Sequence, residues 1–209
     1  MYLVIEGQDA TGKSTQVELL ADYLRQQGKE VVTMHEPDGE LASAHVLRQI
    51  IKDKNYNLEP MTHVLLFTAA RQELWRKLAE PVLNRGGYVI SARNWWSTLA
   101  YQGYGQGISR NKIIRITKDA MPDQYVHPAK SAILILPEAE RLARQAQRDT
   151  QLQASKQSEA DTFESKPSDF QQKVNAAYTH IAQDFHIPFI DASPSVDEIH
   201  AQLRQLFGV

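Results

Sequence analysis

The sequence predicts an α/β fold in which a parallel sheet is covered by helices on both faces. Short apolar runs bounded by turn residues alternate with longer runs of helical spacing, which is typical of βαβ units. In addition, a glycine-rich loop of the form GxxxxGK[ST] directly follows the first apolar run. Since 209 residues are enough for one domain to bury a sheet, we expect a single domain of the P-loop NTPase fold over residues 1–209.

Five apolar runs have the length and composition of buried strands. They are residues 2–5, 30–34, 88–91, 131–136 and 187–190. Between the first two, Val17, Leu20 and Leu24 keep helical spacing until Gly28 offers a C-terminal stop. Residues 64–78 form a second strong helical pattern. These elements predict a five-stranded parallel sheet with both helices packed on it.

The segment from residue 149 to residue 169 differs in composition from the rest of the chain. It is rich in Gln, Ser, Lys, Asp and Glu, and Leu152 and Phe163 are almost its only large apolar side chains. So few apolar groups do not offset the entropy cost of ordering the backbone. We expect a mobile lid in about residues 141–169.

The overall charge and the lack of cysteine narrow the classes of function. The formal net charge of −2 leaves no basic field that would hold nucleic acid by its phosphates. The absence of cysteine excludes disulfides and thiolate metal sites, and it favours a reducing compartment. The first apolar run leads straight into Glu6 and Gly7, without the basic leader of a targeting peptide. We expect a cytoplasmic protein with a small-molecule partner, and neither a nucleic-acid nor a membrane partner.

The glycine-rich loop provides the strongest functional signal. Its glycines allow successive backbone N–H groups to point at phosphate oxygens, and the following helix adds the positive end of its dipole. Lys13 is placed to reach the β- and γ-phosphates, and the Ser14 hydroxyl is placed to ligate Mg²⁺. The alternative is a glycine-bearing turn that matches by chance, which does not explain the strand before it and the helix after it. We expect the loop to bind a nucleoside triphosphate through Gly7, Asp9, Ala10, Thr11, Gly12, Lys13, Ser14 and Thr15.

The loop and four later segments together resemble the thymidylate kinases. The loop reads EGQDATGKST, and the later segments follow in the family's order: HEPDG at 35–39, LLFTAAR at 65–71, SARNWWSTLAYQG at 91–103 and RLARQAQR at 141–148. The match spans nearly the whole chain. This resemblance implies transfer of the γ-phosphoryl group of ATP to dTMP, with Mg²⁺ as the metal, and a homodimer that pairs through helices.

The resemblance also assigns roles around the acceptor nucleotide. It implies that the Phe67 ring stacks on thymine, that Arg71 contacts the base and that Asp9 lies near the sugar. The residues alone leave alternatives open, namely core packing for Phe67 and a helix cap or loop hydrogen bond for Asp9. The remaining acceptor residues that the resemblance implies are Glu36, Pro37, Arg93, Thr98, Tyr101 and Gln102. A polar helix surface is the alternative for Thr98 and Gln102.

Three arginines are expected to supply positive charge during transfer. Arg93 follows the predicted strand 88–91 at the carboxyl end of the sheet, where doubly wound folds bind ligands, and its planar fork suits the acceptor phosphate. Arg144 and Arg148 stand four apart on a predicted helix and so share one face. We assign Lys13, Arg93 and Arg148 to catalysis, and Arg144 to the donor nucleotide. The alternatives are a surface salt bridge for Arg93 and a solvated basic face for the other two.

Three departures from the family pattern bear on the metal and on the acceptor. Ala92 stands where the family's Asp-Arg motif has its aspartate, and a methyl group cannot ligate Mg²⁺. The predicted metal ligands are therefore Ser14 and Asp9, with Glu36 as the alternative to Asp9. His35 replaces an arginine and Asp38 replaces a glycine in the segment that follows the second strand. These changes leave two alternatives to dTMP phosphorylation: an altered acceptor, either another deoxynucleotide or a nucleoside, and a weakly catalytic nucleotide-binding regulator.

Overall fold

The computed structural model describes residues 1–37, 41–154 and 168–209. Asp38 and residues 155–167 of the segment predicted as a lid lie outside these ranges. Within the described residues, five parallel strands form one sheet in the order β2-β3-β1-β4-β5. The strands are β1 Tyr2–Gly7, β2 Val31–His35, β3 Tyr88–Ala92, β4 Lys130–Ile135 and β5 Phe189–Asp191. The five predicted strands are confirmed, with shifts of one or two residues at most of their ends.

Helices connect the strands and follow the last one. They are α1 Lys13–Gln26, α2 Ala42–Lys52, α3 Pro60–Leu74, α4 Glu80–Asn84, α5 Trp95–Thr98, α6 Arg110–Ala120, α7 Asp123–Val126, α8 Glu138–Ala154, α9 Ser168–Phe185 and α10 Val196–Phe207. A 3₁₀ turn occupies Lys54–Tyr56, and π-helical turns occupy Trp75–Ala79 and Leu99–Gly105. The predicted helix over residues 64–78 is confirmed, and it continues through the first π turn into α4. Gly28, which was predicted as the C-terminal stop of this helix, follows the end of α1 with φ of 73°.

The sheet has a separate apolar core on each face. Successive side chains of a strand point to opposite faces, so Tyr2 and Val4 of β1 join one core and Leu3 and Ile5 join the other. Side chains of α1 and α10 cover the second core, whereas those of α3 and α9 cover the first. Burial on both faces explains why the strands read as continuous apolar runs rather than as alternating patterns.

The carboxyl ends of the three strands on one side of the sheet lie side by side. Parallel pairing places His35 of β2 opposite Ala92 of β3, and Ile5 of β1 opposite Ala92 as well. The segments that leave these strands therefore begin at one edge, as expected for a ligand site in a doubly wound sheet. Within the described ranges, no helix is both long enough and apolar enough to cross a membrane.

Candidate functional site

A cavity of about 480 Å³ opens at this edge of the sheet. Most of the predicted site residues line it: Asp9, Ala10, Gly12, Lys13, Ser14, Thr15, Glu36, Pro37, Phe67, Arg71, Arg93, Thr98, Tyr101, Gln102, Arg144 and Arg148. Two predicted residues of the loop, Gly7 and Thr11, are buried and do not line it. The fold thus gathers residues from several distant segments around one space.

The loop between β1 and α1 has the backbone geometry that its glycines permit. Gly7 has φ of 135°, and a Cβ atom there would lie 2.1 Å from the Leu134 carbonyl oxygen, so only glycine fits against β4. The Gln8 carbonyl oxygen accepts hydrogen bonds from Thr11 Oγ1 at 2.9 Å and from Lys13 Nζ at 2.5 Å. The Gln8 side chain also accepts a bond from the Leu136 amide at 3.1 Å. These contacts fold the loop back on itself and fix its position against the sheet.

Lys13 lies in a buried and electropositive place. Its side chain lines the cavity, yet the residue is only 8% exposed. Burial and the nearby Arg93 guanidinium lower the pKa of Lys13 to about 7, against the opposing effect of Asp9 and Glu6. An anion in the cavity would favour the charged form of this ammonium group. Such an environment suits a binding site for phosphates.

Asp9 is held between an arginine and a tyrosine. One carboxylate oxygen pairs with Arg93 Nη2, and the other accepts a 2.6 Å hydrogen bond from the Tyr101 hydroxyl. The Arg93 guanidinium also lies over the Tyr101 ring, 5.6 Å from its centroid. Although burial opposes ionisation, Arg93 and Lys13 hold the pKa of Asp9 below its usual range. Both oxygens of this ionised carboxylate are therefore engaged within the protein.

Arg71 is locked in place by three hydrogen bonds. Its Nε donates to Glu36 Oε2 at 2.9 Å, its Nη1 to Thr98 Oγ1 at 2.7 Å and its Nη2 to the Asn94 carbonyl oxygen at 2.9 Å. The guanidinium carbon lies 5.4 Å from the centroid of the Phe67 ring. Arg71 and Phe67 are thus presented together to the cavity, and the remaining N–H groups of Arg71 have a defined direction.

Glu36 supports Arg71 from beneath the cavity. Besides Arg71, its Oε2 accepts a 2.7 Å bond from the Tyr125 hydroxyl, and the residue is 4% exposed. Burial raises the pKa of Glu36 to about 7, although Arg71 and Tyr125 favour its ionised form. The resemblance implied contact with the acceptor for this residue. It lines the cavity, and its hydrogen bonds are with Arg71, Ser91 and two buried tyrosines, Tyr2 and Tyr125.

Gln102 presents an unsatisfied amide to the cavity. The residue is 1% exposed, and neither its Oε1 nor its Nε2 has a hydrogen-bond partner among the described residues. A buried amide without partners is costly, because both its donor and its acceptor have lost water. The π turn Leu99–Gly105 places Gln102 next to Tyr101 on the cavity wall. Its amide can be satisfied by a ligand that offers an acceptor and a donor side by side.

The two arginines predicted for the donor side both reach the cavity. The predicted helix over residues 141–148 is confirmed as part of α8, and Arg144 and Arg148 line the cavity from it. Arg141 on the same helix is 4% exposed and pairs with Glu138 at 2.9 Å. The sequence correctly placed these arginines on one helix, and it did not separate the buried Arg141 from the two that face the cavity.

Four further residues line the cavity, although none was predicted as a site residue: His35, Arg48, Ala92 and Ser97. His35 lies at the end of β2, where its Nε2 is 2.9 Å from Glu18 Oε1. Arg48 reaches the cavity from α2, and Ser97 reaches it from α5. Ser97 lies within residues 91–103, a segment that carries the resemblance, and this position is the signal that could have identified it as a site residue. The sequence does not show that Arg48 faces the cavity, because one charged residue does not determine how a helix is oriented.

The residues present fit a metal held chiefly by nucleotide oxygens. Mg²⁺ commonly keeps several waters and uses one or two protein oxygens together with substrate phosphates. The Ser14 hydroxyl lines the cavity, whereas Ala92 contributes only a methyl group. In the part of the chain that the structure describes, no group of three or more His, Cys, Asp or Glu side chains could hold a metal. Ser14 is therefore the residue that fits best, and the oxygens of Asp9, the other predicted metal ligand, already pair with Arg93 and Tyr101.

Several known proteins similar to this chain are named thymidylate kinase. A family model described as thymidylate kinase matches residues 5–203. The chain is 37% identical to a thymidylate kinase of Chlorobium luteolum over 207 residues, which cover 96% of this chain and 94% of that protein. It is 32% identical to a thymidylate kinase of Dichelobacter nodosus over 206 residues, which cover 97% of this chain and 95% of that protein.

A solved structure is similar over the full length. It is the crystal structure of thymidylate kinase from Ehrlichia chaffeensis, which matches with a TM-score of 0.74 and 25% sequence identity. The match covers 100% of this chain and 98% of that chain. The sequence and structure matches both include every residue that lines the cavity.

Proposed function

The chain belongs to the thymidylate kinase family, and on that premise we propose that it transfers the γ-phosphoryl group of ATP to dTMP, giving dTDP and ADP. One observation carries the proposal: the phosphate loop with Lys13 and the pocket formed by Phe67, Arg71 and Gln102 share one cavity. Its volume lies in the range of small-molecule sites. A donor tail and an acceptor nucleotide can therefore meet inside it.

The donor triphosphate binds to the loop. Backbone N–H groups from Gly7 to Ser14 and the start of α1 surround the phosphates, and Lys13 leaves the Gln8 carbonyl to contact the β- and γ-phosphates. Arg144 and Arg148 approach the donor from α8. Mg²⁺ supplies further charge neutralisation when bound, with Ser14 as its protein ligand.

The acceptor base binds in the aromatic pocket. The Phe67 ring stacks on the pyrimidine, and the free N–H groups of Arg71 and the Gln102 amide bond to its edge, with Thr98 beside them. The unsatisfied Gln102 amide supports this assignment, because a pyrimidine edge offers the partners that the protein lacks. Asp9 and Tyr101 lie toward the sugar, and Pro37 closes the pocket beside Glu36.

The transfer needs alignment and positive charge rather than a covalent intermediate. Arg93 lies on the cavity wall, and its planar guanidinium holds the acceptor phosphate in front of the donor. Arg48 lines the same cavity and adds a second cation on the acceptor side. Lys13 and Arg148 neutralise the charge that develops on the moving group. Closure of α8 over the cavity excludes water, which would otherwise accept the phosphoryl group.

We further infer a cytoplasmic homodimer. The cysteine-free sequence supports a reducing compartment. Val46 on α2 and Leu65 on α3 are each 53% exposed, and these two helices pack side by side, which supports pairing through them. Light scattering on the protein as it elutes from a size-exclusion column should give twice the mass of one chain. Leu65→Asp should halve that mass, whereas Val196→Asp, at an exposed apolar position on α10, should leave it unchanged.

A screen of acceptors tests the proposed activity. The protein is incubated with ATP, Mg²⁺ and one of a series of deoxynucleoside monophosphates or nucleosides, and ADP formation is followed. We expect dTMP to give the highest kcat/KM, and Lys13→Ala to abolish turnover. Turnover with thymidine but not dTMP would indicate a nucleoside kinase. Nucleotide binding without turnover of any acceptor would indicate a regulator.

A further inference from the structure

Arg93 has a backbone conformation that residues with a Cβ atom seldom adopt. Its φ is 74°, in the left-handed region that favours glycine. Three hydrogen bonds stabilise this conformation. The Arg93 amide donates to the Ile5 carbonyl at 3.0 Å, its carbonyl accepts from Ser91 Oγ at 2.7 Å, and the next amide, of Asn94, donates to Glu6 Oε2 at 3.0 Å. The arginine is thereby tied to the ends of β1 and β3.

The Glu6 carboxylate connects this arginine to the phosphate loop. Glu6 is fully buried at the end of β1. Its Oε1 accepts hydrogen bonds from the Gly7 amide at 3.1 Å, from Ser97 Oγ at 2.9 Å and from the Tyr178 hydroxyl at 3.2 Å. Since its other oxygen accepts from Asn94, one carboxylate binds both the first amide of the loop and the backbone beside Arg93.

Two hydroxyl groups bridge the Arg93 side chain to Glu6. Arg93 Nη1 donates to Ser97 Oγ at 3.0 Å and to the Tyr178 hydroxyl at 3.1 Å, and both hydroxyls donate in turn to Glu6. The direct separation of Nη1 and Glu6 Oε1 is 3.6 Å. Both hydrogens of Nη1 are therefore used inside the protein, in bonds strengthened by the opposite charges at either end.

This arrangement determines which edge of the guanidinium a ligand meets. The bonds of Arg93 to other described residues engage Nη1 and Nη2, and none engages Nε. The Nε–H group and an Nη2–H group form one edge of the planar fork, and that edge suits two oxygens of a phosphate. Nη1 is held on the Glu6 side and one Nη2 hydrogen pairs with Asp9, so the Nε–H group and the second Nη2 hydrogen are the donors left for the cavity that Arg93 lines.

We propose that Glu6 and Tyr178 are positioning residues that, with Ser97, hold Arg93 so that its Nε edge faces the acceptor phosphate. The inference rests on the proposed function, which supplies that phosphate. Tyr178 lies on α9, outside every segment that carried the family resemblance. A guanidinium that is already oriented loses little freedom when the phosphate binds, and a mobile one would reach the aligned geometry less often. The effect belongs to the transfer step and to acceptor binding, not to ATP binding.

The first test compares Tyr178→Phe with Tyr104→Phe. Both changes remove a tyrosine hydroxyl and keep the ring. The Tyr178 hydroxyl accepts a bond from Arg93, whereas the Tyr104 ring stacks on His180 with the centroids 5.7 Å apart. For Tyr178→Phe we expect kcat/KM for dTMP to fall by roughly tenfold, with KM for ATP within about twofold of the unaltered protein. Tyr104→Phe should leave both constants within about twofold.

A double-mutant comparison separates positioning from a general structural role. In the Arg93→Lys background the bridged guanidinium is absent, so adding Tyr178→Phe should reduce the rate by less than about twofold. An equal loss in both backgrounds, or no loss in the protein with Arg93, would overturn the proposal. If Tyr178→Phe does not fold, Ser97→Ala removes the other bridge and is tested in the same two backgrounds.

A measurement without substrate keeps this inference distinct from the proposed function. Arginine side-chain NMR on the nucleotide-free protein reports rotation about the Arg93 Cζ–Nη bonds. We expect slow rotation in the unaltered protein and in Tyr104→Phe, and clearly faster rotation in Tyr178→Phe. Equal rotation in all three contradicts the positioning role, even if dTMP is the substrate. Slow rotation lost only in Tyr178→Phe supports it, even if the acceptor screen rejects dTMP.

Discussion

Arg71 and Glu36 form a buried ion pair in which Nε lies 2.9 Å from Oε2 and the two side chains are 3% and 1% exposed. Buried pairs of this kind cost desolvation, and removal of one partner leaves the other charged group without compensation. The pair also holds Arg71 next to Phe67 in the cavity. Its loss should therefore affect both folding stability and acceptor binding.

Arg71→Ala tests this pair. We expect the free energy of unfolding to fall by about 3 kcal/mol and KM for dTMP to rise by at least about tenfold. Urea denaturation and steady-state kinetics measure the two effects. Arg85→Ala is the control, since its pair with Glu30 is exposed, at 57% and 46%, and its loss should change the free energy of unfolding much less. Equal losses in the free energy of unfolding for the two variants would contradict the role assigned to the buried ion pair.

Glu36 predicts a specific dependence of stability on pH. Its pKa is raised to about 7 by burial, from 4.5 in the unfolded chain, so the folded state binds the proton more tightly. Its contribution to stability is therefore fully present below pH 4.5 and is lost as pH rises through about 7, by roughly 3 kcal/mol. The free energy of unfolding is measured from pH 5 to 8 for the unaltered protein and for Glu36→Gln. The value for the unaltered protein relative to Glu36→Gln should fall as pH rises. A difference that does not change with pH would disprove it.

Gln102→Leu separates ligand binding from stability. The Gln102 amide has no partner among the described residues, so its replacement by an apolar side chain of similar size should keep or raise the melting temperature. We expect KM for dTMP to rise by roughly tenfold and KM for ATP to stay unchanged. Calorimetry and kinetics provide the two measurements. A clear loss of stability with unchanged KM would show that the amide serves the fold instead.

Ala92→Asp tests the support for the metal. Ala92 lines the cavity that Ser14 also lines, and a carboxylate there would give Mg²⁺ a second protein oxygen. We expect the Mg²⁺ concentration for half-maximal rate to fall by several-fold. Ala92→Leu, similar in size and without an oxygen, should not reproduce the change. A reduced metal requirement in both variants would assign the effect to size rather than charge.

Local patterns explain what could be predicted from the sequence. The strands are short apolar runs buried on both faces, and the phosphate loop is defined by a pattern of eight consecutive residues. Both can therefore be predicted from local sequence alone. Arg144 and Arg148 were placed on one helix because a spacing of four determines a shared face. The set of residues around the cavity followed mainly from the family resemblance.

Long-range contacts explain what could not be predicted. The Tyr178 hydroxyl meets Glu6 across 172 positions of sequence, and no spacing rule connects two such residues. The π turn Leu99–Gly105 changes the facing direction of Tyr101 and Gln102 relative to a regular helix. Similarly, adjacent Trp95 and Trp96 both pack near the Phe185 ring, at 5.1 Å and 6.0 Å, which strict helical spacing does not predict.

The most direct test of the account follows the phosphoryl group itself. The protein is incubated with ATP labelled at the γ-phosphate, Mg²⁺ and dTMP, and the products are separated. We predict label on the β-phosphate of dTDP, formed in equal amount with ADP and absent with Lys13→Ala. Label released only as inorganic phosphate, or no transfer while ATP and dTMP both bind, would contradict the claim that this cavity joins a donor and an acceptor nucleotide.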